Sequence, residues 1–329
     1  MSRGIKMLSA LDAANRPQSL QSLQQLIDTN QLVPPLRCDG KSCLTPVRFV
    51  PQRIDPKKEN SVRSAYIGLT ASVSSDHTVT CQYNALAQLN AILAAQSDPN
   101  FIGALDKGAK ELRLLLMHNK IGGENQPAIT GADSTADGRS AQRKSNNYKP
   151  TSTQLDSYLR TTADILKLRK LCEDDKLLAQ TLILRFGQQK ISWSDFYFEH
   201  GRYEDAWKMA NKQGDACHPF AVMGTVEQFR APADGAEHPI GWLKFRSERD
   251  KPNAKNVANS FSISVGAREL AWLRAFPAGT EIIMFGVWKA SKPTKNIYNV
   301  PSDPPRQITY SNHGLILYPK FHSQLFEVS

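Results

Sequence analysis

The chain has 329 residues, 40% hydrophobic and 22% charged, which is the balance of a folded protein and excludes an intrinsically disordered one. Its 41 Lys plus Arg against 31 Asp plus Glu leave a formal net charge of +10, which favours a polyanionic partner such as nucleic acid or an anionic surface. No stretch approaches the roughly 18–20 apolar residues that span a bilayer, and the start, MSRGIKMLSALDAANRPQSLQSL, lacks a secretory apolar core, so a cytoplasmic protein without a membrane partner is expected.

In chain order, Leu20, Leu23, Leu26 and Ile27 predict an amphipathic helix within 8–33, ended by Pro34 and Pro35. Residues 36–60 are rich in turn formers and basic groups and read as a loop or exposed arm. Cys38 and Cys43 lie in this arm as CDGKSC. Zinc needs about four ligands, and no second Cys or His pair is near in sequence, so a reduced thiol pair is expected and no cofactor is assigned.

SAYIGLTASVS and HTVTCQY alternate apolar and small polar residues and predict a hairpin turning at Ser75-Asp76. Two helices are predicted next, over 84–96 and 102–118. Strand, helix, helix is the order of a ribbon-helix-helix unit, so residues 77–118 offer a duplex-DNA reader as an alternative. Residues 121–152 lose nearly all apolar content and read as a flexible linker. Leucines at helical spacing predict helix over 153–185, and Trp193, Phe196, Tyr197, Phe198, Tyr203 and Trp207 fit a helix packed into a core or a base-stacking cluster.

From residue 220 the pattern turns to strands: FAVMGTVEQFR, IGWLKFRSER, NSFSISVG, a short helix over 267–276, GTEIIMFGVWKA and ITYSNHGLILYPKF. Five strands with a helix between the third and fourth is the order of the OB fold. Alternation puts Leu243 and Phe245 on the core face and Trp242, Lys244 and Arg246 on the other. A ring among cations suits single-stranded nucleic acid, because bases stack on rings and phosphates sit on cations. The segment 289–307 reads as a basic loop carrying Lys289, Lys292, Lys295 and Tyr298, and 247–256 as a second, carrying Arg249 and Lys251. Trp288 either adds a stacking ring or plugs the barrel.

The segment FSISVGARELAWLRAFPAGTEIIMFGVWKA resembles bacterial single-stranded DNA-binding proteins and the related primosomal replication proteins. The likeness rests on Gly279, Ile282, Met284 and Gly286, and on Val222, Gly224 and Val226 in the first strand. It covers under a third of the chain and implies an OB fold that binds single-stranded DNA. The chain departs from that family in lacking an acidic, Phe-ended tail and in carrying a long region ahead of the barrel.

No phosphate-binding Gly-x-x-x-x-Gly-Lys loop, His-Glu-x-x-His or Gly-x-Ser-x-Gly occurs, so a non-enzymatic protein is expected. The expected class is α+β, an N-terminal α+β and helical region followed by a C-terminal five-stranded OB-type barrel. The expected parts are 1–60 (helix and basic arm), 61–120 (hairpin and two helices), 121–152 (linker), 153–215 (helical subdomain) and 216–329 (OB-fold domain). The expected function is binding of single-stranded DNA, or RNA, in replication, recombination or mobile-element transfer. Residues 1–215 would serve self-association or a replication or recombination partner. The alternatives are the duplex-DNA regulator and an assembly protein whose barrel binds protein.

Overall fold

The computed structural model describes residues 4–54, 62–70, 77–95, 101–105, 108–114, 152–172, 176–232, 235, 239–300 and 306–328 of a mixed α+β chain. The linker expected over 121–152 lies outside the described residues, apart from Ser152.

The N-terminal region keeps the expected helix but folds much of the expected arm into a small sheet. Strands β1 (Ser9–Leu11) and β2 (Pro17–Ser19) form a hairpin. Its turn is built by Asp12, whose Oδ1 accepts the N–H groups of Ala14 and Arg16, each at 2.9 Å. Ser19 then caps α1 (Leu20–Asp28), accepting Ser22 N–H at 3.1 Å, so the predicted helix begins at the first of its spaced leucines. The expected arm contains β3 (Leu36–Arg37), β4 (Pro46–Val50) and β5 (Arg53–Ile54), followed by β6 (Val62–Arg63) and β7 (Tyr66–Leu69). The sheet order is β2-β1-β3-β4-β7, with β5 and β6 as a separate pair. Its core is small: Met7, Ala10, Leu23, Leu36, Val47, Ile67 and the cysteines Cys38, Cys43 and Cys81.

The second strand of the expected hairpin, 77–83, is a run of turns, closed by Cys81 N–H on Thr78 O at 2.9 Å and Asn84 N–H on Cys81 O at 3.0 Å. Asn84 caps α2 (Ala85–Ala94) through Ala87 N–H. The next predicted helix is absent from the described residues of 102–118. They form β8 (Ile102–Ala104) and β9 (Lys110–Arg113), with Gly108 between them in the left-handed region at φ 78°. This overturns the ribbon-helix-helix alternative.

Helices α3 (Ser152–Leu171) and α4 (Lys176–Thr181) follow the expected periodicity. Leu182 and Ile183 do not continue it. They open β10 (Leu182–Phe186), which pairs in parallel with β9 and antiparallel with β11 (Gln189–Ile191). Helix α5 (Trp193–Phe196), strand β12 (Tyr197–Phe198) and helix α6 (Tyr203–Gln213) carry the aromatic run. Phe196 meets Phe285 edge-on at 5.7 Å, and Phe198 meets Phe220 at 5.3 Å. The run is therefore core, and it joins the middle of the chain to the C-terminal sheet in one continuous apolar cluster.

That sheet contains β13 (Phe220–Arg230), β14 (Gly241–Phe245), β15 (Glu248–Arg249) and β16 (Val257–Ala267). After α7 (Leu270–Arg274) come β17 (Glu281–Gly286), β18 (Trp288–Ala290), β19 (Thr294–Val300), β20 (Arg306–Leu317) and β21 (Leu325–Glu327). The path is β18-β20-β16-β14-β13-β17-β21, with β16 and β20 parallel. Only Val287 separates β17 from β18, yet β17 pairs with β13 while β18 pairs with β20. One short segment thus holds two distant strands and curls the sheet into a half-barrel. The basic loop expected over 289–307 instead carries β19, paired antiparallel along its length with β20.

Glu248 ties this sheet to the helix before it. Its buried carboxylate accepts the N–H groups of Gly201 and, at 3.2 Å, Tyr203, where α6 begins. A carboxylate there satisfies otherwise unpaired amides and matches the positive end of the helix dipole.

Candidate nucleic-acid interface

The two faces of the curled sheet differ as period-2 alternation requires. Leu243, Phe245, Phe261, Ile263, Val265, Leu315 and Leu317 are buried on one side. On the other, strand registers line side chains into transverse rows. Arg230 lies opposite Trp242, and Trp242 opposite Gly266. Val265 lies opposite Leu317, which brings Tyr318 alongside Gly266. A second row runs Gln228, Lys244, Ser264, Ile316, Lys289 across five strands.

Trp242 and Tyr318 meet edge to face, with ring centroids 5.8 Å apart and planes at 66°. Gly266 makes this possible: a Cβ there would come within 2.9 Å of both rings. Lys244 places its ammonium 4.9 Å from the Trp242 ring centroid and donates to Ser264 Oγ at 2.9 Å. Burial, reinforced by the charge of Arg230, pushes the Lys244 pKa below the ordinary lysine value. An ammonium held this way gains from an added anion, which restores the favourable surroundings of its charge.

A second cluster lies along β16 towards Ala258. Arg249 pairs across the strands with Ser260. Its guanidinium lies 5.6 Å from the Tyr298 ring centroid and 5.4 Å from that of Tyr310, and the two tyrosines meet edge to face at 5.5 Å. Tyr298 is 42% exposed and Tyr310 only 7%, so Tyr298 is the ring offered to solvent. From Gly266 to Ala258 the strand runs about 26 Å at its usual rise, a length suited to several nucleotides. None of Arg230, Lys244, Arg249 and Lys289 pairs with a carboxylate among the described residues.

The sequence-predicted residues thus separate. Trp242, Lys244 and Lys289 share the face, and Arg249 and Tyr298 share the second cluster. Arg246, Lys251 and Lys292 are exposed just beyond strand ends. Lys295 lies opposite Ser311 in the register, on the other face from Tyr298. Trp288 is withdrawn: it is 2% exposed, stacks on Phe220 at 5.8 Å and donates Nε1–H to Phe220 O at 3.0 Å. Its stacking role is overturned, and it is a core ring. Arg230, Tyr318 and Tyr310 were not predicted.

Away from this face, Cys38, Cys43, His77 and Cys81 bring four potential metal-ligand atoms within 4.8 Å of one another, all buried. The pair Cys38 and Cys43, expected to have no companions, has two in space.

No protein-family model matches the chain, and no curated protein sequence matches it. Among solved structures, part of the chain is similar to a crystal structure of a small single-stranded DNA-binding protein from Streptomyces coelicolor. That match has 12% identity, covers 29% of this chain and 87% of the other, and has a TM-score of 0.16. An overlap this slight decides neither fold nor ligand. Among the described residues no helix is long and apolar enough to cross a membrane.

Proposed function

We propose that residues 216–329 form a five-stranded OB-type barrel that binds single-stranded DNA on the face of Trp242, and that the protein acts by binding rather than by catalysis. The barrel reading is supported by the strand order. β13, β14 and β16 form a meander, β16 runs parallel to β20, and the β17–β18 segment pairs with both β13 and β20. This is the connectivity that closes five strands on one core.

The observation that carries the ligand reading is the Trp242–Tyr318 ring pair over Gly266, flanked by Arg230 and Lys244. Rings with exposed surface beside cations hold bases and phosphates together without selecting sequence. Each stacked base contributes roughly 1–3 kcal/mol. Ser262, Ser264 and Gly266 form a track of small side chains along β16 between the rings and the β19–β20 pair, where Arg249 and Tyr298 form a second hold. A duplex presents stacked bases that such a track cannot reach.

Binding of single strands places the protein where duplexes are opened, in replication, recombination or mobile-element transfer. Residues 1–215 then supply self-association or partner contact. Fluorescence anisotropy with labelled mixed-sequence oligonucleotides tests the reading. The single strand is expected to bind tightly and to weaken with salt, while duplex of the same sequence binds far less. Equal affinity for duplex and single strand, or no binding at low salt, refutes it.

A further inference from the structure

The N-terminal sheet gathers three cysteines and a histidine from two separate turns. The first turn spans Cys38 to Cys43 and is closed by Cys43 N–H on Gly40 O at 2.9 Å. The second spans His77 to Cys81 and is closed by Cys81 N–H on Thr78 O at 2.9 Å. Cys38 Sγ and Cys81 Sγ are 3.7 Å apart, Cys43 Sγ and His77 Nδ1 3.5 Å, and Cys81 Sγ and His77 Nδ1 3.7 Å. Tetrahedral zinc, with Zn–S near 2.3 Å and Zn–N near 2.05 Å, sets ligand–ligand edges of about 3.8 Å for S–S and about 3.6 Å for S–N. The observed spacings agree with those edges. Cys38 and Cys81 are not bonded to each other at this separation, so the sulfur contact is not a disulfide.

We infer that Cys38, Cys43, His77 and Cys81 bind one Zn²⁺ as a closed structural site. Four protein ligands complete a tetrahedron and leave no position for substrate, which is the signature of a structural rather than a catalytic zinc. Three thiolates and an imidazole are also the soft donor set that prefers zinc over magnesium or calcium.

The surroundings are built for sulfur ligands. Gly40 N–H points at Cys38 Sγ at 3.3 Å, the kind of amide–sulfur bond that steadies a thiolate. A Cβ at Gly40 would come within 2.6 Å of Cys81 Sγ and 3.2 Å of Cys38 Sγ, so glycine is needed for the turn to approach the cluster. The imidazole is held in place from behind: a Cβ at Gly4 would lie 2.8 Å from the His77 ring. Nδ1 of His77 faces the sulfurs, leaving the tautomer with Nδ1 unprotonated free to ligate.

The energetics point the same way. Three of the nine buried residues in the core of this sheet are the cysteines themselves. A core this small gives little stability, and small units of this kind are commonly completed by a metal. Binding would take up Zn²⁺ and release the thiol protons still bound, leaving three Zn–S bonds and one Zn–N bond. The inference is independent of any nucleic-acid role for the C-terminal sheet.

The test is metal analysis of the full chain purified without chelator. About one zinc per chain is expected by mass spectrometry. Stoichiometric thiol modification should release it, and replacement by Co²⁺ should give the visible bands of tetrahedral thiolate coordination. Cys38→Ser and Cys81→Ser should reduce zinc to trace, whereas Cys172→Ser should leave it unchanged. Because the first two variants can fail to fold, His77→Cys supplies the second arm: it should retain the metal with an altered Co²⁺ spectrum. Wild-type protein with only trace zinc that also fails to bind added Co²⁺ overturns the inference. So does a Cys38–Cys81 disulfide in freshly purified protein, or equal zinc in Cys38→Ser and wild type.

Discussion

Trp242 and Tyr318 touch edge to face only because residue 266, between their strands, has no side chain. The two rings are separated by 76 positions in the sequence, and Arg230 stands next to the first of them across β13. The binding reading depends on this arrangement, and it can be tested one group at a time.

Trp242→Ala should weaken single-strand binding by roughly 5- to 150-fold, the equivalent of about 1–3 kcal/mol for one lost stacking ring. Titration by anisotropy at fixed salt measures it. Trp288→Phe provides the contrast. It removes the hydrogen bond to Phe220 O within the core, so it should lower the melting temperature and leave affinity within about twofold.

Gly266→Val should separate the Trp242–Tyr318 pair, because the new branched side chain starts 2.9 Å from both rings. Affinity is expected to fall at least as far as in Trp242→Ala, while circular dichroism retains the strand content. An unchanged affinity would show that the ring pair is not the contact.

Lys289→Ala and Arg249→Ala should each reduce the slope of log affinity against log salt by about 0.7, the contribution of one phosphate contact on a single strand. Lys295→Ala, on the other face of the hairpin, should alter the slope far less. Affinities measured between low and moderate salt distinguish them.

Lys244 gives a pH dependence. Burial and Arg230 lower its pKa, so its charge is lost at a lower pH than that of an ordinary lysine. A bound phosphate favours the charged form. Affinity should therefore be level below the lowered pKa and decline as pH rises through it, with Lys244→Arg removing the decline. For folding alone the sign is opposite. The fold penalises the charged amine, so this group's contribution to stability improves as pH rises towards 10.5.

His313 stacks on Phe261 at 4.9 Å and meets Trp207 at 4.5 Å, and burial lowers its pKa from 6.5. The neutral ring is the one the fold accepts. Stability should hold above about pH 6.5 and fall as the pH drops below it, and His313→Gln should flatten that fall in a thermal melt series.

What could be read from the sequence was the local alternation. Leu243, Phe245, Phe261, Ile263 and Val265 face inward as period 2 requires, and Trp242 and Lys244 face outward. Arg230 escaped because the register shifts between Val226 and Gln228. Extending Val222, Gly224, Val226 by twos would point Arg230 inward, and the irregularity reverses it. Trp288 was ambiguous because the break at Val287 hands the strand from β13 to β20. The strands at 102–113 were read as helix because their leucines fit both periods. Parallel pairing with β10, some 70 residues later, decided the matter. His77 and Cys81 could not be joined to Cys38 and Cys43 by spacing, since β4 and β7 must pair before the two turns meet.

The rows across the curled sheet also govern when the surface can exist. Arg230 lies on β13, Trp242 on β14, Gly266 at the end of β16 and Tyr318 just past β20. A chain that extends only as far as β18 has Arg230 but half of the ring pair, and β16 still lacks its parallel neighbour. The surface therefore requires the chain through Tyr318. A fragment that stops before Tyr318 should therefore bind single strands more weakly than a chain that includes it.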